Sequence, residues 1–556
     1  MEDGVAKIKP EFLVSYGTSD IGAHSVTKEG GRNVNFGTSS SGLRQLCNSI
    51  ILNKRCKNPK CNAYHDLDEF SVHYTPPQTS IPCHFLKTYG KCPFSVNCMY
   101  ASSHFQESLD DLFAKKPVPT KEEIVPLLNA FPGATLADLR RGEYRKLGEK
   151  GSSVMPSSSF ISAFAHSKSS SEQRPLILAP MCTVGTVPFR RLCIHYGCEI
   201  TLCEMVFARD ILHGDAQELR KIKRHPDEKC FGIQLAGRGQ ELMEIVNFIS
   251  KCCSCDFVDL NAACPQDIAT KKCCGAALAA NLKKLVNSVD CMVRGGEHYG
   301  IPVFLKIRAG DLHGNWTGSS VAHALRLSGL YGLSVHLRTA KQRYSKLANW
   351  DYSASMRHAL DSCEENTAKP DLEPQLKYDV GSSTTVTPST RTPPLLGGNG
   401  DIFDYTDLYR DDHSTVDYYL IARGALVKPW IFQEIKEGRR IDMSSQSRLD
   451  MLRLFASFCL EYYGSDAPGV EKARTQFLEN WSFMCRYIPV GILDEPQRLN
   501  QRPPMFRGRD ELETLMASQS ASDWVKISEM LFGPVPAGFS FVPKHKSHGY
   551  VSESVN

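Results

Sequence analysis

Between residues 173 and 437, short apolar segments alternate with longer amphipathic ones, and this alternation constrains the fold more than any other feature of the sequence. Eight apolar segments match the eight strands that a TIM (β/α)8 barrel requires. The predicted strands are residues 176–180, 200–203, 232–235, 257–260, 303–307, 333–336, 395–398 and 418–422, and helices are predicted at 209–221, 239–252 and 278–294. A doubly wound sheet is the alternative, but it needs a Gly-rich turn after its first strand, where this chain has Ala179-Pro-Met-Cys-Thr183. The sequence therefore predicts an α/β TIM barrel.

Polar residues follow most of the predicted strands, at the end where TIM barrels place their active sites. These residues are Pro180, Met181, Gln234, Asn261, Cys264, Lys306, Arg308, His336, Arg338, Gly398 to Asp401, Arg423 and Gly424. Glycines and an arginine after the last two strands are typical of a phosphate site. A phosphate, a lysine, a glutamine and a histidine around one opening suit flavin mononucleotide (FMN), with Gln234 at the ring edge and Lys306 beside developing negative charge. Taken singly, Lys306 is equally well explained as an ion-pair partner, and His336 as a buried, hydrogen-bonded residue.

Cys264 lies just beyond the fourth predicted strand and is followed by Pro265, an arrangement that can direct a thiol into the cleft. The chain has 21 cysteines, and a buried packing role is the ordinary alternative for any one of them. The position of Cys264 at a strand end makes it the candidate for chemistry.

Ahead of the barrel, cysteine and histidine recur with the spacing of zinc ligands. Cys47, Cys56, Cys61 and His65 form a C-x8-C-x4-C-x3-H set, and Cys83, Cys92, Cys98 and His104 form a C-x8-C-x5-C-x5-H set. Three thiolates and one imidazole make a closed tetrahedral site for structural zinc, and segments this short hardly fold without metal. The sequence predicts two tandem zinc fingers over residues 43–110, and His104 is the ligand whose spacing departs from the usual x3.

The remaining segments are assigned from composition and periodicity. We expect a disordered tail at 1–42, a partly helical segment with a Ser-rich linker at 111–172, and a disordered insertion in the barrel at 356–394. Residues 438–533 have helical periodicity, and 534–556 form a tail. Cations of this region are Arg439, Arg440, Lys472, Arg474, Arg486, Arg498, Arg502, Arg507 and Arg509.

Hydropathy and cysteine content bound the cellular setting. We find neither an N-terminal apolar run nor an 18-residue apolar stretch, and therefore predict no signal peptide and no membrane span. Cysteines without a secretory signal indicate a reducing compartment. We expect a monomer in the cytoplasm, the nucleus or both.

Motifs along the barrel resemble those of the flavin-dependent tRNA dihydrouridine synthases. They are Ala179-Pro-Met181, Pro188-Phe-Arg-Arg-Leu192, Val258-Asp-Leu-Asn261 with Cys264-Pro265, Lys306-Ile-Arg308, Val335-His-Leu-Arg-Thr339, Gln342-Arg-Tyr344, Gly398-Asn-Gly-Asp401, Arg423-Gly-Ala425 and Lys428-Pro-Trp430. The two fingers resemble CCCH zinc fingers, a family of single-stranded RNA binders, and their place ahead of the barrel is similar to the eukaryotic type-three branch. The resemblance covers residues 43 to about 547.

The resemblance implies FMN, reduction by NADPH, and a uridine in the variable loop of tRNA, at position 47, as substrate; other RNA is a further possible partner. It implies Cys264 as the general acid that protonates C5 of the uracil ring while C6 receives hydride. The implied cofactor-binding residues are Pro180, Met181, Cys182, Gln234, Lys306, His336, Asn399, Gly400, Asp401, Ala422 and Arg423. The implied substrate-binding residues are Asn261, Arg308, Arg338, Lys271 and Lys272.

The fingers carry candidate RNA contacts. Phosphates could be bound by Lys54, Arg55, Lys57, Lys60, Lys87 and Lys91, and bases could stack on Phe85, Tyr89, Phe94 and Tyr100. For any single aromatic residue, packing around the zinc is the alternative. The cations of residues 438–533 are implied to hold tRNA, or each simply lies on a solvated helix face.

Four residues depart from the family pattern by replacing glycines: Ala263, Cys273, Cys274 and Leu337. Cys273 and Cys274 lie in the loop after Cys264, so loop conformation, and with it rate or substrate choice, is where this chain would differ. Two alternatives stay open: a flavin barrel enzyme acting on a small molecule, and an RNA-binding flavoprotein with impaired catalysis.

Overall fold

The computed structural model describes residues 4–14, 45–75, 77, 79–104, 118–144, 155–165, 174–362, 391–536 and 538–544. The chain forms two compact units. The first comprises Met1–Leu127, Leu426–Lys428 and Arg440–Asn556, and the second comprises Leu128–Ala425 and Pro429–Arg439. Within the described ranges, no helix has both the length and the apolar character needed to cross a membrane.

The second unit is a closed barrel of eight parallel strands. Its strands are β1 (Leu176–Leu178), β2 (Ile200–Leu202), β4 (Cys230–Ala236), β5 (Phe257–Ala262), β6 (Val303–Gly310), β7 (Gly332–Thr339), β8 (Leu395–Asn399) and β9 (Tyr418–Ile421), while the short β3 (Val206–Phe207) adds to β4. Each strand pairs with the next, β1 pairs with β9, and pairing of β2 with β4 completes the ring. The predicted TIM barrel is therefore confirmed, and every predicted strand overlaps an observed one.

Aromatic residues close the amino end of the barrel. Phe257, Phe304 and Tyr418 point inward from their strands and pack on Phe160 and Phe164 of the helix Ser158–Phe164. We expected the surrounding residues, 151–172, to form a Ser-rich linker. Instead the Ser157 side chain accepts a hydrogen bond from the Phe160 backbone N–H and caps the helix, while its two phenylalanines, four residues apart, share the buried face.

Helices surround the barrel and build the rest of the chain. The α-helices of the second unit lie before β1, between strands or after β9: Gly133–Arg141, Ser158–Phe164, Val187–His195, Ala208–Leu212, Ala216–Lys221, Gln240–Cys252, Asp267–Thr270, Ala276–Ala279, Leu282–Tyr299, Gly318–Leu325, Tyr352–Asp361 and Ile431–Glu437. The helix Arg423–Val427 follows β9, and short 3₁₀ helices span Tyr405–Tyr409 and Asp411–His413. The predicted helices at 209–221 and 278–294 are each divided into two.

The first unit combines the finger region with the C-terminal helices. Its α-helices are Asn48–Ile51, Leu67–His73, His84–Tyr89, Lys121–Ile124, Ser445–Tyr463, Ala467–Met484, Glu511–Ala517 and Ala521–Phe532. Its 3₁₀ helices are Pro10–Phe12, Ser95–Asn97, Ala101–Ser103 and Val490–Ile492. The helical periodicity predicted for 438–533 corresponds to four of these α-helices.

Part of the predicted N-terminal tail is packed. Ala6 and Ile8 are buried against Ile488, Ile492 and Phe506, and the backbone of residues 6–14 hydrogen bonds to residues 492–507. The disordered tail expected at 1–42 therefore does not describe residues 4–14, whose few apolar side chains find a partner surface nearly 500 residues away. The rest of that tail, residues 1–3 and 15–42, lies outside the described residues.

The barrel insertion also begins later than expected. The helix Tyr352–Asp361 runs into the range 356–394 that was predicted to be disordered, and Met356 and Leu360 on this helix are buried. Residues 363–390 lie outside the described residues. A deletion of 356–394 would therefore remove part of a packed helix.

Candidate active site and zinc centres

The candidate active site is built from side chains that enter the barrel near the carboxyl ends of its strands. Alternate residues of a strand point to one side, and the parallel register places Gln234 opposite Asp259 and Asn261 opposite Lys306. All four side chains are buried. Arg308, His336 and Asn399 lie near the carboxyl ends of β6, β7 and β8, on the same side of the barrel. The register thus brings together several of the predicted site residues.

A chain of hydrogen bonds links a buried carboxyl group to the Cys264 loop. Gln234 Nε2 donates to Asp259 Oδ2 at 2.6 Å, and Asn261 Nδ2 donates to Gln234 Oε1 at 2.8 Å. Asn261 Oδ1 accepts from the backbone N–H groups of Ala263 at 3.1 Å and Cys264 at 2.9 Å. Asp259 was not among the predicted site residues, although its place two residues before Asn261 on β5 was a usable signal.

The Cys264 thiol is partly buried at the end of β5. Burial raises its pKa, and a hydrogen bond from the Gln266 backbone and the charge of Arg308 oppose this shift without cancelling it. Because an ordinary thiol has a pKa of about 8.5, the Cys264 thiol is protonated at neutral pH. It is suited to donate a proton, whereas a nucleophilic cysteine needs a lowered pKa.

The loop after Cys264 accommodates its two unusual cysteines differently. Cys273 is exposed and has a φ of 56°, the left-handed region that favours glycine. Cys274 is buried with Met205 and Phe207, and burial raises its pKa to about 11. Neither Ala263 nor Leu337 has a positive φ, so of the four departures from glycine only Cys273 carries backbone strain.

Lys306 is buried near the centre of the site, where its Nζ donates to Asn399 Oδ1 at 3.0 Å. Burial lowers the pKa of Lys306, and the nearby Asp259 opposes this by favouring the charged form. Burial raises the pKa of Asp259. A buried ammonium group at this depth is placed to stabilise negative charge on a bound ring system.

The surroundings of His336 are strongly positive. Its pKa lies well below the ordinary value because the ring is buried and because Arg308, Lys306, Arg338 and Arg423 all disfavour the imidazolium. The imidazole is therefore neutral, and its Nε2 accepts from Arg338 Nη1 at 3.2 Å. Four cations around His336 at the strand ends suit an anion, and the residues present fit the phosphate of FMN.

Asp401 partly neutralises this charge. It accepts two hydrogen bonds from Arg338, at 2.6 and 2.7 Å, one from Arg423 at 3.0 Å, and one from the Ala348 backbone N–H at 2.8 Å. Arg338 was expected to contact substrate, but it is fully buried and also donates to the Lys346 carbonyl at 2.8 Å. Since its guanidinium is hydrogen bonded to Asp401 and to the Lys346 carbonyl, Arg338 supports neighbouring site residues rather than contacting substrate.

Other predicted substrate residues lie nearer the surface. Arg308 is held by the carbonyls of Ala263 and Thr339, each at 3.2 Å. Lys272 pairs with Asp210 at 2.6 Å, and the exposed Lys271 pairs with Asp267 at 3.1 Å. Both lysines are on the Cys264 loop, and exposed ion pairs of this kind cost little to exchange for a phosphate contact.

Three of the predicted cofactor-binding residues, Pro180, Met181 and Cys182, lie in the turn after β1. Pro180 and Met181 are half-buried and Cys182 is exposed. Thr183 has a φ of 73°, and its backbone N–H donates to Glu204 at 2.6 Å. Ala422 immediately follows β9, which pairs with β1, and Gly400 follows β8. These residues complete the rim next to Arg423.

Tyr344 lies at the mouth of the site and was not predicted as a site residue. Its ring centre is 4.1 Å from the Arg423 guanidinium carbon and 6.3 Å from the His336 ring, with which it is stacked. Half of Tyr344 is exposed, 52% by surface area. The Gln342-Arg-Tyr344 motif was the signal for this residue.

Both predicted sets of zinc ligands are assembled in the first unit. In each set the candidate ligand atoms all lie within 4.8 Å of one another, and His104 belongs to its set despite the longer spacing. The sulfur atoms of Cys47 and Cys61 are 3.9 Å apart, and those of Cys83 and Cys98 are 3.7 Å apart. A tetrahedral zinc with bonds of about 2.3 Å to sulfur requires about this separation, so the residues fit zinc.

Two of the four candidate base-stacking residues of the second finger, Phe85 and Tyr100, are buried in its core. The alternative of packing around the zinc therefore describes them better than base stacking. Tyr89 is partly exposed, but its hydroxyl donates to Glu461 at 2.8 Å. The candidate phosphate contacts Lys54, Arg55, Lys57, Lys60, Lys87 and Lys91 are all exposed.

The second finger is attached to the C-terminal helices within the same unit. His84 Nε2 and Glu461 Oε1 are 2.7 Å apart, and the Ser465 hydroxyl is 3.2 Å from the Cys98 sulfur. The Met99 backbone N–H donates to the Ser465 carbonyl at 2.8 Å. A zinc-bound thiolate can only accept, so Ser465 would donate to it. The second zinc centre is therefore coupled to the helical region.

The predicted cations of the helical region divide into two groups. Arg474 is buried, where it donates to the Ser528 hydroxyl at 2.9 Å and the Gly533 carbonyl at 2.7 Å. Arg498, Arg502 and Arg507 are exposed on the segment that the N-terminal residues 4–14 contact. Lys472 and Arg439 are also exposed, and Arg509 is paired with Asp442 and Glu513. Only the exposed group can contact a nucleic acid.

The amino-acid sequence is similar to one protein family and to several named proteins. Residues 177–361 match the family model described as "Dihydrouridine synthase (Dus)". A "tRNA-dihydrouridine(47) synthase [NAD(P)(+)]-like" protein of Xenopus laevis is 35% identical over 548 residues, which is 91% of this chain and 80% of that protein. The similarly named human protein is 33% identical over 91% of this chain and 81% of its own length. A "tRNA-dihydrouridine(47) synthase [NAD(P)(+)]" of Cryptococcus neoformans is 42% identical over 68% of this chain and 50% of that protein.

Proposed function

The chain belongs to the dihydrouridine synthase family, among the relatives named tRNA-dihydrouridine(47) synthase, and we propose that it reduces the C5=C6 bond of uridine 47 in tRNA. FMN and NADPH are its cofactor and reductant, and the two Cys3His groups fit zinc. The observation that most supports the reaction is the position of Cys264 at the end of β5, where its thiol is partly buried and Arg308 donates to the carbonyl of the preceding residue, Ala263. We also predict a monomer in the cytoplasm, the nucleus or both.

Each site residue has a proposed task. FMN, when bound and reduced by NADPH, would supply the hydride that C6 of the uracil receives. Cys264 gives its proton to C5, and Lys306 stabilises negative charge on the ring system. Arg423 and the neighbouring backbone hold the phosphate, while Asn261 and Arg308 orient the uracil. The uridine must leave its stack to reach this depth, and Tyr344 at the mouth offers a ring face to receive it.

We expect Arg423→Met to weaken FMN binding by about 10- to 100-fold, because a hydrogen bond to a charged group contributes about 1.5–3 kcal/mol. The apo protein is titrated with FMN, and flavin fluorescence is followed to obtain Kd. Riboflavin, which has the same ring system without the phosphate, is the control ligand. If the variant weakens riboflavin and FMN equally, Arg423 does not bind the phosphate.

We expect tRNA binding to depend steeply on salt, and the double variant Arg498→Gln, Arg502→Gln to reduce that dependence. Each lost phosphate contact should lower the slope of log Kd against log salt by about 0.7 to 0.9, or by about 1.5 for the pair. Fluorescence anisotropy with labelled tRNA at several salt concentrations gives the slope. Both arginines are exposed on the segment next to the N-terminal residues.

The matched control is Arg453→Gln, Lys526→Gln, which removes two exposed cations that are already paired with Asp450 and Asp523. This control should leave the slope nearly unchanged. The finger variant Lys57→Gln, Lys60→Gln provides the corresponding test of the first finger. Equal slopes for the arginine variant, its control and the unmodified protein would place the tRNA surface elsewhere.

A further inference from the structure

Asp259 is a buried carboxyl group that the proposed chemistry does not use. It lies on β5 two residues before Asn261, so both side chains enter the barrel interior. Only 2% of Asp259 is exposed, and its Oδ1 has no hydrogen-bond partner in the described part of the chain. Burying such a group is costly unless it is bonded, and its one hydrogen bond, from Gln234, leads toward Cys264.

The hydrogen bonds that start at Asp259 can run in only one direction. Backbone N–H groups can only donate, so the Asn261 oxygen must be the atom that faces Ala263 and Cys264. The Asn261 amide nitrogen must then donate to the oxygen of Gln234, and the Gln234 nitrogen must find an acceptor. Asp259 is that acceptor, at 2.6 Å. An acceptor at residue 259 therefore sets the orientation of both amides.

An ion pair with Lys306 is the competing explanation for Asp259. Lys306 Nζ, however, donates its hydrogen bond to Asn399 Oδ1, at 3.0 Å. The carboxylate influences Lys306 only through space, whereas it bonds Gln234 directly. The geometry therefore favours the role at the end of the amide chain.

We propose that Asp259 is a positioning residue that holds the Cys264 loop in place through Gln234 and Asn261. The side chain itself does not reach the reacting atoms. Fixing the two backbone N–H groups at residues 263 and 264 limits the motion of the thiol, and small displacements of a catalytic group lower the rate strongly. This inference deepens the proposed function, since it rests on the role proposed for Cys264.

The test compares Asp259→Leu with Asp259→Asn in the FMN-loaded protein. Leucine removes the acceptor, whereas asparagine can still present its oxygen to Gln234. The rate of Cys264 alkylation by iodoacetamide is measured on its peptide by mass spectrometry, with exposed Cys273 in the same molecule as the control. We expect the leucine variant to alkylate Cys264 about fivefold faster, the factor expected for one hydrogen bond. Cys273 should react at an unchanged rate, and asparagine should restore the slow rate at Cys264.

Turnover provides the second measurement. The leucine variant should lower kcat by a larger factor than it changes KM for tRNA, because the displaced groups, Asn261 and the Cys264 loop, act on the uracil ring, whereas the exposed cations proposed to bind tRNA are unchanged. Gln234→Met removes the next group in the chain of hydrogen bonds, the amide that accepts from Asn261, and should also speed Cys264 alkylation. This second variant keeps the proposal testable if the leucine variant fails to fold. Unchanged Cys264 alkylation in Gln234→Met, or an asparagine variant as reactive as the leucine variant, would overturn the positioning role. Because alkylation does not require proton donation, this result is independent of whether Cys264 is the acid.

Discussion

Replacing Cys264 with alanine is expected to lower the rate of dihydrouridine formation by about 10² to 10⁴, the usual effect of removing a general acid. The reason is structural: the thiol is partly buried, its pKa is raised by that burial, and it is therefore protonated when the ring must accept a proton. Product formation in tRNA, measured by mass spectrometry of nucleosides under single-turnover conditions, gives the rate.

The Cys264→Ala protein should still bind FMN and tRNA and should still oxidise NADPH, because neither binding nor NADPH oxidation needs the thiol. Cys273→Ala and Cys274→Ala are the matched controls on the same loop. Cys273 is exposed and Cys274 is packed with Met205 and Phe207, so we expect neither to be essential. If the Cys274→Ala protein were inactive and the Cys264→Ala protein active, the general acid would be Cys274 and the assignment to Cys264 would be wrong. Bound flavin with full NADPH oxidation but no product in the unmodified protein would instead indicate an RNA-binding flavoprotein without turnover.

Replacing Cys98 with serine is expected to cause the largest loss of stability. Losing one thiolate releases zinc, and zinc binding supplies about 10 kcal/mol or more of folding free energy to a finger of this size. Cys98 is fully buried, and its sulfur lies 3.2 Å from the Ser465 hydroxyl. The damage should therefore extend to the helices around Glu461 and Ser465, and we expect the first unit to melt about 10 °C lower if about 3–4 kcal/mol of packing is lost.

Calorimetry and zinc content check this expectation, and Cys56→Ser is the control because it releases zinc from the first finger. The first finger packs on the second through Leu46, Phe70 and Val96, so we expect the control to shift the helical transition less. Equal shifts for the two variants would mean that the second finger has no special link to the helices. Deleting residues 1–115 would remove the candidate RNA contacts of the fingers together with their packing on the helices, so point variants are the sharper test.

Sequence alone determined those features of this protein that depend on local pattern. The eight strands could be predicted because apolar runs alternate with helical periodicity, and the strand-end positions of Gln234, Lys306 and His336 followed from the fold. The two zinc sets could be predicted because their ligands lie close together along the chain. Residue spacing is sufficient evidence where the partners of a contact are near neighbours in sequence.

Tertiary structure decided the features whose partners are far apart. The sequence resemblance implied Arg338 as a substrate contact and Arg474 as a cation that holds tRNA, but the structure buries both against groups that lie 54 to 63 residues away. The contact of His84 with Glu461 joins residues 377 positions apart. The packing of Ala6 and Ile8 on Ile488, Ile492 and Phe506 spans nearly 500 positions. The position of Asp259 two residues before Asn261 could be read from the sequence, but its partner became known only once the register of β4 and β5 had placed it opposite Gln234. No local pattern encodes these contacts, because they arise only when the packed surfaces of distant segments meet.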